Sequence, residues 1–270
     1  MFFLTVARTL MMLLLAAAAM HLATLTVVVF AENIQGTSGD DLLNGTSESD
    51  TIDAFEGDDK LFGEGDDDIL DGGNGNDEIY GGDGNDEIKD VNDTPYSNDK
   101  VYGGSENDNI TVGIDYTRGN FYYIYGEAGS DYIKVVSSSA FINGGIDDDT
   151  IYCTGYECVV IGDEGVDEIH VQLHDVGSVV YGGSGNDKVF GKGYSVNGDE
   201  GDDYLSLDSA LDLKGGQGDD FLEVLAPSWE SYYNGGPGAD IFNCSSGPGD
   251  IVEDYDPMEG DSVSTDCETV

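Results

Sequence analysis

Two nonapeptides stand back to back in this chain: Gly72–Tyr80 (Gly-Gly-Asn-Gly-Asn-Asp-Glu-Ile-Tyr) and Gly81–Lys89 (Gly-Gly-Asp-Gly-Asn-Asp-Glu-Ile-Lys). Both follow G-G-x-G-x-D-x-U-x, with U a large apolar residue. The first six residues close a tight turn that needs φ > 0 at several positions, which glycine supplies without steric penalty. Glycine carbonyls point into such a turn, and the aspartate adds a carboxylate. The last three residues make a short strand with one side chain facing inward. Two units in succession close one turn of a stacked parallel roll. Hard oxygen donors, with no sulfur or imidazole among them, suit calcium.

The pattern extends in both directions. Upstream and through the tandem, an aspartate is followed two positions later by an apolar residue at Asp41/Leu43, Asp50/Ile52, Asp59/Leu61, Asp67/Ile69, Asp77/Ile79 and Asp86/Ile88. This predicts nine-residue half-coils with a loop on each edge. Asp50 follows Ser47-Glu-Ser and lacks the glycine framework, so it is left out of the ligand set. Downstream, glycine-aspartate loops end at Asp108, Asp131, Asp149, Asp167, Asp187, Asp203, Asp220 and Asp240. Their spacing is near eighteen, one loop per full coil, so they should stack on one edge. Residues 89–101 read as a looser bend with Asp99 out of register, and Asp175, in the bend opposite the loops, should bind nothing. The expected ligands are Asp41, Asp59, Asp67, Asp77, Asp86 and those eight aspartates, with Gly72, Gly73, Gly75, Gly81, Gly82 and Gly84 supplying carbonyls.

The tandem repeats resemble the RTX family of secreted calcium-binding β-rolls, for which this nonapeptide is a repeat signature. The resemblance implies an all-β, right-handed parallel β-roll or β-helix with several Ca2+ ions as folding cofactors. Relatives include toxins, proteases, lipases and adhesins in which the roll serves folding and secretion. The zinc-protease motif H-E-x-x-H and the lipase motif G-x-S-x-G are both absent from the sequence, so the catalytic parts of those relatives are not expected. No stretch fits the EF-hand loop. His170 and His174, four apart on a strand, stand about 13 Å from each other, too far for one metal.

The chain carries 56 Asp+Glu against 9 Lys+Arg, a formal charge of −47. Self-repulsion opposes compaction, and nucleic acid, which needs Lys and Arg, is excluded as a partner. Residues 1–31 read as a secretory signal peptide: an apolar run from Leu10 to Phe30, then Val29-Phe30-Ala31 as a cleavage site. No membrane span is expected after cleavage. The remaining organisation is a calcium roll over 32–110, coils with one calcium loop each over 111–243, and a cap over 244–270. A secreted chain with four cysteines is read as disulfide-bonded, as Cys153–Cys158 and Cys244–Cys267. The expected function is a secreted, extracellular or cell-surface calcium-binding structural module without a catalytic site. Its alternatives are a polysaccharide-binding adhesin or a lyase- or epimerase-like β-helix enzyme. Partners beyond calcium would be extracellular polysaccharide or cell-surface components. The aromatic runs Phe121–Tyr125 and Trp229–Tyr233 read as ladders between coils, with a sugar platform as the alternative.

Overall fold

The computed structural model describes residues 31–91, 96–113, 119–173, 178–225, 230–244 and 249–270. The expected leader (apart from Ala31), His174, Asp175 and Trp229 lie outside the described residues. Residues 31–270 form one compact unit. Its strands make a single 24-stranded ladder in which the pairings are parallel. This is a β-solenoid of about 12 turns, with no helix among the described residues.

Each turn supplies two strands, so a strand finds its hydrogen-bond partner one full turn away. Ile34 lies opposite Ile52, and Leu43 opposite Leu61. The ladder thereby wraps into two faces. The inward column of the first face runs from Ile34 through Ile52, Leu70, Ile88, Ile110, Ile133 and Ile151 to Val263. That of the second face runs from Leu43 through Leu61, Ile79, Val101, Ile124 and Ile142 to Val252. Alternation along each short strand sends one side chain in and its neighbours out. The core is therefore two stacked rows, almost all of them fully buried.

Among the buried apolar residues the register differs from the sequence reading at one point. Leu70, not Ile69, occupies the column opposite Ile52 and Ile88. Leu70 is buried, while Ile69 is 44% exposed. The aspartate two positions before the buried residue is then Asp68, and Asp67 leaves the column.

Cys153 and Cys158 are joined, as are Cys244 and Cys267. Cys153 and Cys158 both lie within Thr150–Glu164, a strand that passes through the bend and serves both faces. The second bridge ties the C-terminal segment back to the end of Ile241–Asn243.

Outside the second face, Phe62, Tyr80, Tyr102 and Tyr125 stack ring on ring at 4.9, 4.7 and 5.1 Å with planes within 7° of parallel. Outside the first face, His170 stacks between Tyr152 at 4.5 Å and Phe190 at 5.2 Å, and its Nε2 lies 2.7 Å from Glu168 Oε1. The spacing matches that of adjacent strands. Each stacked ring covers its neighbour's face, so these are ladders between coils; a sugar platform needs open ring faces. Tyr122 and Tyr233 belong to neither reading, since both are buried in the core.

The register makes a test. Leu70→Ala should destabilise the folded chain by about 2–4 kcal/mol, the range for a buried Leu truncated to Ala. Ile69→Ala should cost under about 0.5 kcal/mol, as for an exposed site. Chemical denaturation of both variants in calcium measures the difference; equal losses would place the column at Ile69.

Candidate metal centre

The chain passes from the second face to the first through one edge, here the loop edge, and back through the other, the far edge. On the loop edge the inward residues of the two faces stand nine apart in one turn after another. Leu43 to Ile52 (52 − 43), Val101 to Ile110 (110 − 101), Val196 to Leu205 (205 − 196) and Tyr233 to Phe242 (242 − 233) all give nine. The far edge varies. Ile88 to Val101 spans 13 (101 − 88), whereas Val189 to Val196 spans 7 (196 − 189). The apparent change of period at Asp86 is thus an alteration of the far edge alone.

An aspartate closes each loop of the constant edge, two residues before the buried apolar one. Asp50, Asp68, Asp86, Asp108, Asp131, Asp149, Asp167, Asp187, Asp203, Asp220 and Asp240 form one column, each 0–3% exposed. The peptide N–H of each donates to Oδ1 of the aspartate one turn on. The bond is 2.7 Å from Asp50 to Asp68, 2.8 Å from Asp108 to Asp131, 2.8 Å from Asp187 to Asp203 and 2.9 Å from Asp220 to Asp240. Asp261 ends the series by accepting from Asp240 at 3.0 Å. The carboxylate stands where a ladder carbonyl would otherwise accept.

The second oxygen carries the chemistry. Oδ2 of Asp68, Asp86, Asp108, Asp131, Asp149, Asp167, Asp187, Asp203, Asp220 and Asp240 is buried without a hydrogen-bond partner. Buried ions left uncompensated cost several kcal/mol each. Burial accordingly pushes the carboxyls up, to about 8 for Asp108, Asp149 and Asp203, about 7 for Asp68, Asp131, Asp167 and Asp220, and about 6 for Asp86, Asp187 and Asp240. The N–H bond opposes this shift, and neighbouring carboxylates add to it.

The first glycine of each loop shows what these oxygens face. A Cβ at Gly81 would lie 2.3 Å from Asp86 Oδ2 and 2.3 Å from the Gly103 carbonyl oxygen; at Gly182 the distances are 2.4 Å to Asp187 Oδ2 and 2.5 Å to the Gly198 oxygen. The missing side chain lets a carboxylate from one turn and a carbonyl from the next close in on the glycine, so that their oxygens gather at this edge. Carboxylate and carbonyl oxygens gathered without nitrogen or sulfur suit a hard cation. The residues present fit calcium. Positive φ occurs at the second and fourth loop positions, as at Gly82 and Gly84. Where glycine is absent there, the residue with positive φ is acidic on the loop edge: Glu64, Asp66, Glu106, Glu127, Asp147, Asp163 and Asp199 all have φ between 65° and 86°, while Phe55 takes the second position of a far-edge loop at 75°.

The far edge repeats the arrangement at the start and again at the last turn, where the Ser231 N–H donates to Oδ1 of buried Asp250 at 3.3 Å. Asp41 N–H donates to Asp59, Asp59 to Asp77, and Asp77 to Asp99, at 2.7, 2.8 and 2.8 Å. Asp99 is therefore in register, contrary to the sequence expectation; the longer bend before it hid its place. Buried Asp77, Asp90 and Asp99 offer oxygens within 4.8 Å of one another, a grouping the sequence reading missed. Beyond Asp99 the position passes to Tyr122, Ala140 and Cys158, and the carboxylate column gives way to apolar side chains.

A second, outer column runs beside the first with its hydrogen bonds reversed. Asp67 Oδ1 accepts from the N–H of Asn85 at 2.8 Å, Asp148 from Val166 at 2.8 Å, and Asp202 from Asp219 at 2.9 Å, each donor lying one turn further on. Asp67 belongs here: it is exposed, and the Asn85 side chain and N–H hold its carboxyl below the ordinary value. Asp68, the next residue, is buried and pushed up to about 7. The structure thus places Asp59, Asp77, Asp86 and the eight aspartates from Asp108 to Asp240 in the inner columns, with Asp41 at the open end. It replaces Asp67 by Asp68 and adds Asp50, Asp99, Asp250 and Asp261. Asp50 was legible only from the unbroken spacing of nine.

The family model for the RTX calcium-binding nonapeptide repeat matches this sequence four times, over residues 35–70, 62–88, 96–115 and 178–193. The chain carries RTX calcium-binding repeats. The first two matches span the turns in which both edges hold aspartates; the fourth contains the loop ending at Asp187. No curated protein matches the chain. Among solved structures it is similar to a hyperactive, Ca2+-dependent, β-helical antifreeze protein from an Antarctic bacterium, at 21% identity over 87% of this chain and 88% of that one, with a TM-score of 0.43.

The two columns make neighbouring residues separable. Asp149→Ala should lower the number of calcium ions bound and raise the calcium concentration at the folding midpoint several-fold. Asp148→Ala, an equal loss of charge in the outer column, should leave stoichiometry unchanged. Isothermal calorimetry distinguishes them; identical results would reduce binding to diffuse attraction by the acidic surface. The raised carboxyls also fix a sign for the calcium-free chain. The native state holds more protons than the unfolded one between pH ~4 and ~8, so stability rises as pH falls through that window. Circular dichroism in calcium-free buffer should show more β-structure at pH 4.5 than at pH 8.

Proposed function

We propose that this chain is a secreted calcium-binding structural module that folds on calcium and works outside the cell or at its surface. The supporting observation is the column of buried, unpartnered Oδ2 atoms, each packed against the first glycine of its loop, with the next turn's carbonyl close by at every such glycine but Gly235. A chain of this charge cannot keep such a column ionised and dry without cations. The residues that would hold calcium are Asp50, Asp68, Asp86 and Asp108 through Asp240 on the loop edge, with carbonyls of the loop glycines. On the far edge they are Asp41, Asp59 and Asp77, with Gly72, Gly73 and Gly75. Bound calcium supplies positive charge that offsets the buried carboxylates.

The proposed organisation follows from the two edges. Residues 32–110 carry loops on both, residues 111–243 on the loop edge alone, and 244–270 close the end of the stack. A leader over 1–31 delivers the chain to the exterior, where calcium sites of about 10⁻⁴–10⁻³ M affinity fill. Among the described residues no helix is long and apolar enough to cross a membrane.

Calcium titration followed by circular dichroism tests this reading. In EGTA at neutral pH the chain should be largely disordered; added calcium should bring cooperative β-structure, because a ligand bound only by the native state stabilises it. A β-spectrum indifferent to EGTA would refute it.

A further inference from the structure

One turn of the far edge carries a carboxylate that the repeats do not account for. Asp90 stands where the chain leaves the first face, two residues after Ile88 and on the same inward side. One turn back the chain at this point is Gly72, the first glycine of a nonapeptide, whose N–H donates to the Lys89 carbonyl at 3.3 Å. One turn on, Val112 stands opposite Asp90. An acid thus takes a place held by glycine before it and by an apolar side chain after it. Asp90 and Asp99 are fully buried and Asp77 is 2% exposed, and each offers an oxygen within 4.8 Å of the other two. The lysines on either side, Lys89 and Lys100, turn outward to Glu87 and Glu78. Carboxylates this close together oppose one another's ionisation, and burial adds to the opposition. A second observation points to the same place from the other end of the bend. Ser97 lies two residues before Asp99 and is 2% exposed, and its Oγ meets no hydrogen-bond partner. Buried hydroxyls are ordinarily bonded. Alternation along the strand turns Ser97 inward with Asp99, so this oxygen is left facing the interior between Asp90 and Asp99. One turn on, Asn120 donates to Tyr122 Oη at 3.2 Å, and Tyr122 stands opposite Asp99.

We propose that Asp77, Asp90 and Asp99, with Ser97 Oγ, hold a calcium ion at the end of the early far-edge column, one turn beyond the last nonapeptide. This site rests on the calcium reading proposed above and adds one ion to it. The family matches stop at residue 88 and resume at 96, so Asp90 belongs to none of them. In the nonapeptide turns the loop glycines bring their carbonyls to the edge. Residues 90–99 contain no glycine, and here a third carboxylate takes the place of that framework. Three carboxylates and a hydroxyl make an all-oxygen set, which suits a hard divalent cation. Calcium takes about 6–8 oxygens in irregular arrangements, whereas magnesium demands a near-ideal octahedron. A set drawn from two turns and from both ends of a bend meets the first requirement and not the second.

Native mass spectrometry tests the proposal by counting calcium ions as whole numbers on residues 31–270, which form a compact unit with their own core. Asp90→Asn keeps the shape of the side chain and removes its charge, and should carry one ion fewer than the wild type. Asp90→Val continues the buried apolar positions of Ala54 and Val112 and should lose the same ion; it stands in should Asp90→Asn fail to fold. Ser97→Ala should keep the count but give up one ion to a chelator at a several-fold higher free calcium concentration than the wild type. Asp53→Asn, an equal loss of charge on the outward side of the first face, should match the wild type in both measurements. A count left unchanged by the Asp90 variants would overturn the proposal. So would a loss shared by Asp53→Asn, or a Ser97→Ala chain that releases its ions just as the wild type does. A chain that needs calcium to fold but carries as many ions without Asp90 would lose this site alone; whether calcium folds the chain is decided by the EGTA experiment.

Discussion

A carboxylate bonded to the backbone of the preceding turn is what this solenoid is built on. In a parallel ladder with alternating side chains, a slip of one residue turns every inward group out. The buried side chain alone resists such a slip weakly here, since the strands are only a few residues long and many have apolar neighbours on both sides. The aspartate two positions earlier adds a second, directional condition: its Oδ1 must meet the N–H of its counterpart one turn back, at 2.7–3.0 Å along the whole loop edge. The two conditions together fix the register that either alone leaves loose. The same bond brings a charge out of water, and the fold then depends on something to balance it.

The two acidic columns on the loop edge divide the work. The inner column is buried, bonded backward to the previous turn, and left with an open oxygen. The outer column is exposed and bonded forward to the next turn, and at Asp67 those bonds draw the carboxyl down. Successive turns are thus tied in both directions by side chains only one residue apart. Replacement of loop glycines follows the same logic. A non-glycine residue at positive φ carries a steric cost of about 1–2 kcal/mol, yet the second and fourth loop positions accept Glu and Asp repeatedly. Small polar acids tolerate the left-handed region better than β-branched residues, and there they add oxygen to an edge already lined with it.

The solenoid, the loop positions and the disulfide pairs were legible in the sequence because each rests on a local rule: nine-residue spacing, glycine where φ is positive, an even cysteine count. The errors came where a local rule had two solutions. In Asp66-Asp67-Asp68-Ile69-Leu70, two Asp/apolar pairs fit equally well, and only pairing with Ile52 and Ile88 selects the second. Asp99 was hidden by a far bend of 13 residues, since a count from the previous loop no longer lands on it. Asp50 was discounted for want of glycines, but its place is set by its neighbours' carboxylates, which no single loop reveals. Asp90 has no repeat around it at all. It comes beside Asp77 and Asp99 only because the chain stacks.

The contrast between the edges shows what the loops tolerate. Over turn after turn the loop edge keeps nine residues between the two buried columns while its composition drifts from Gly-Thr-Ser-Glu-Ser-Asp to Gly-Gly-Pro-Gly-Ala-Asp. The far edge meanwhile expands to 14, from Ile110 to Ile124 (124 − 110), and contracts to 7. A packing requirement alone would treat the two edges alike, because both join the same two faces over the same core. The difference lies in the carboxylate column. An inserted residue on the loop edge would carry one aspartate away from the N–H of the turn before and its Oδ2 away from the next turn's carbonyl, disturbing two neighbouring turns at once. On the far edge beyond Asp99, where Tyr122, Ala140 and the Cys153–Cys158 bridge occupy the corresponding places, an insertion disturbs only the bend that holds it. Constant length on one edge of a variable chain is thus the mark of shared sites, each built from two turns, in a stack whose other edge is free to vary.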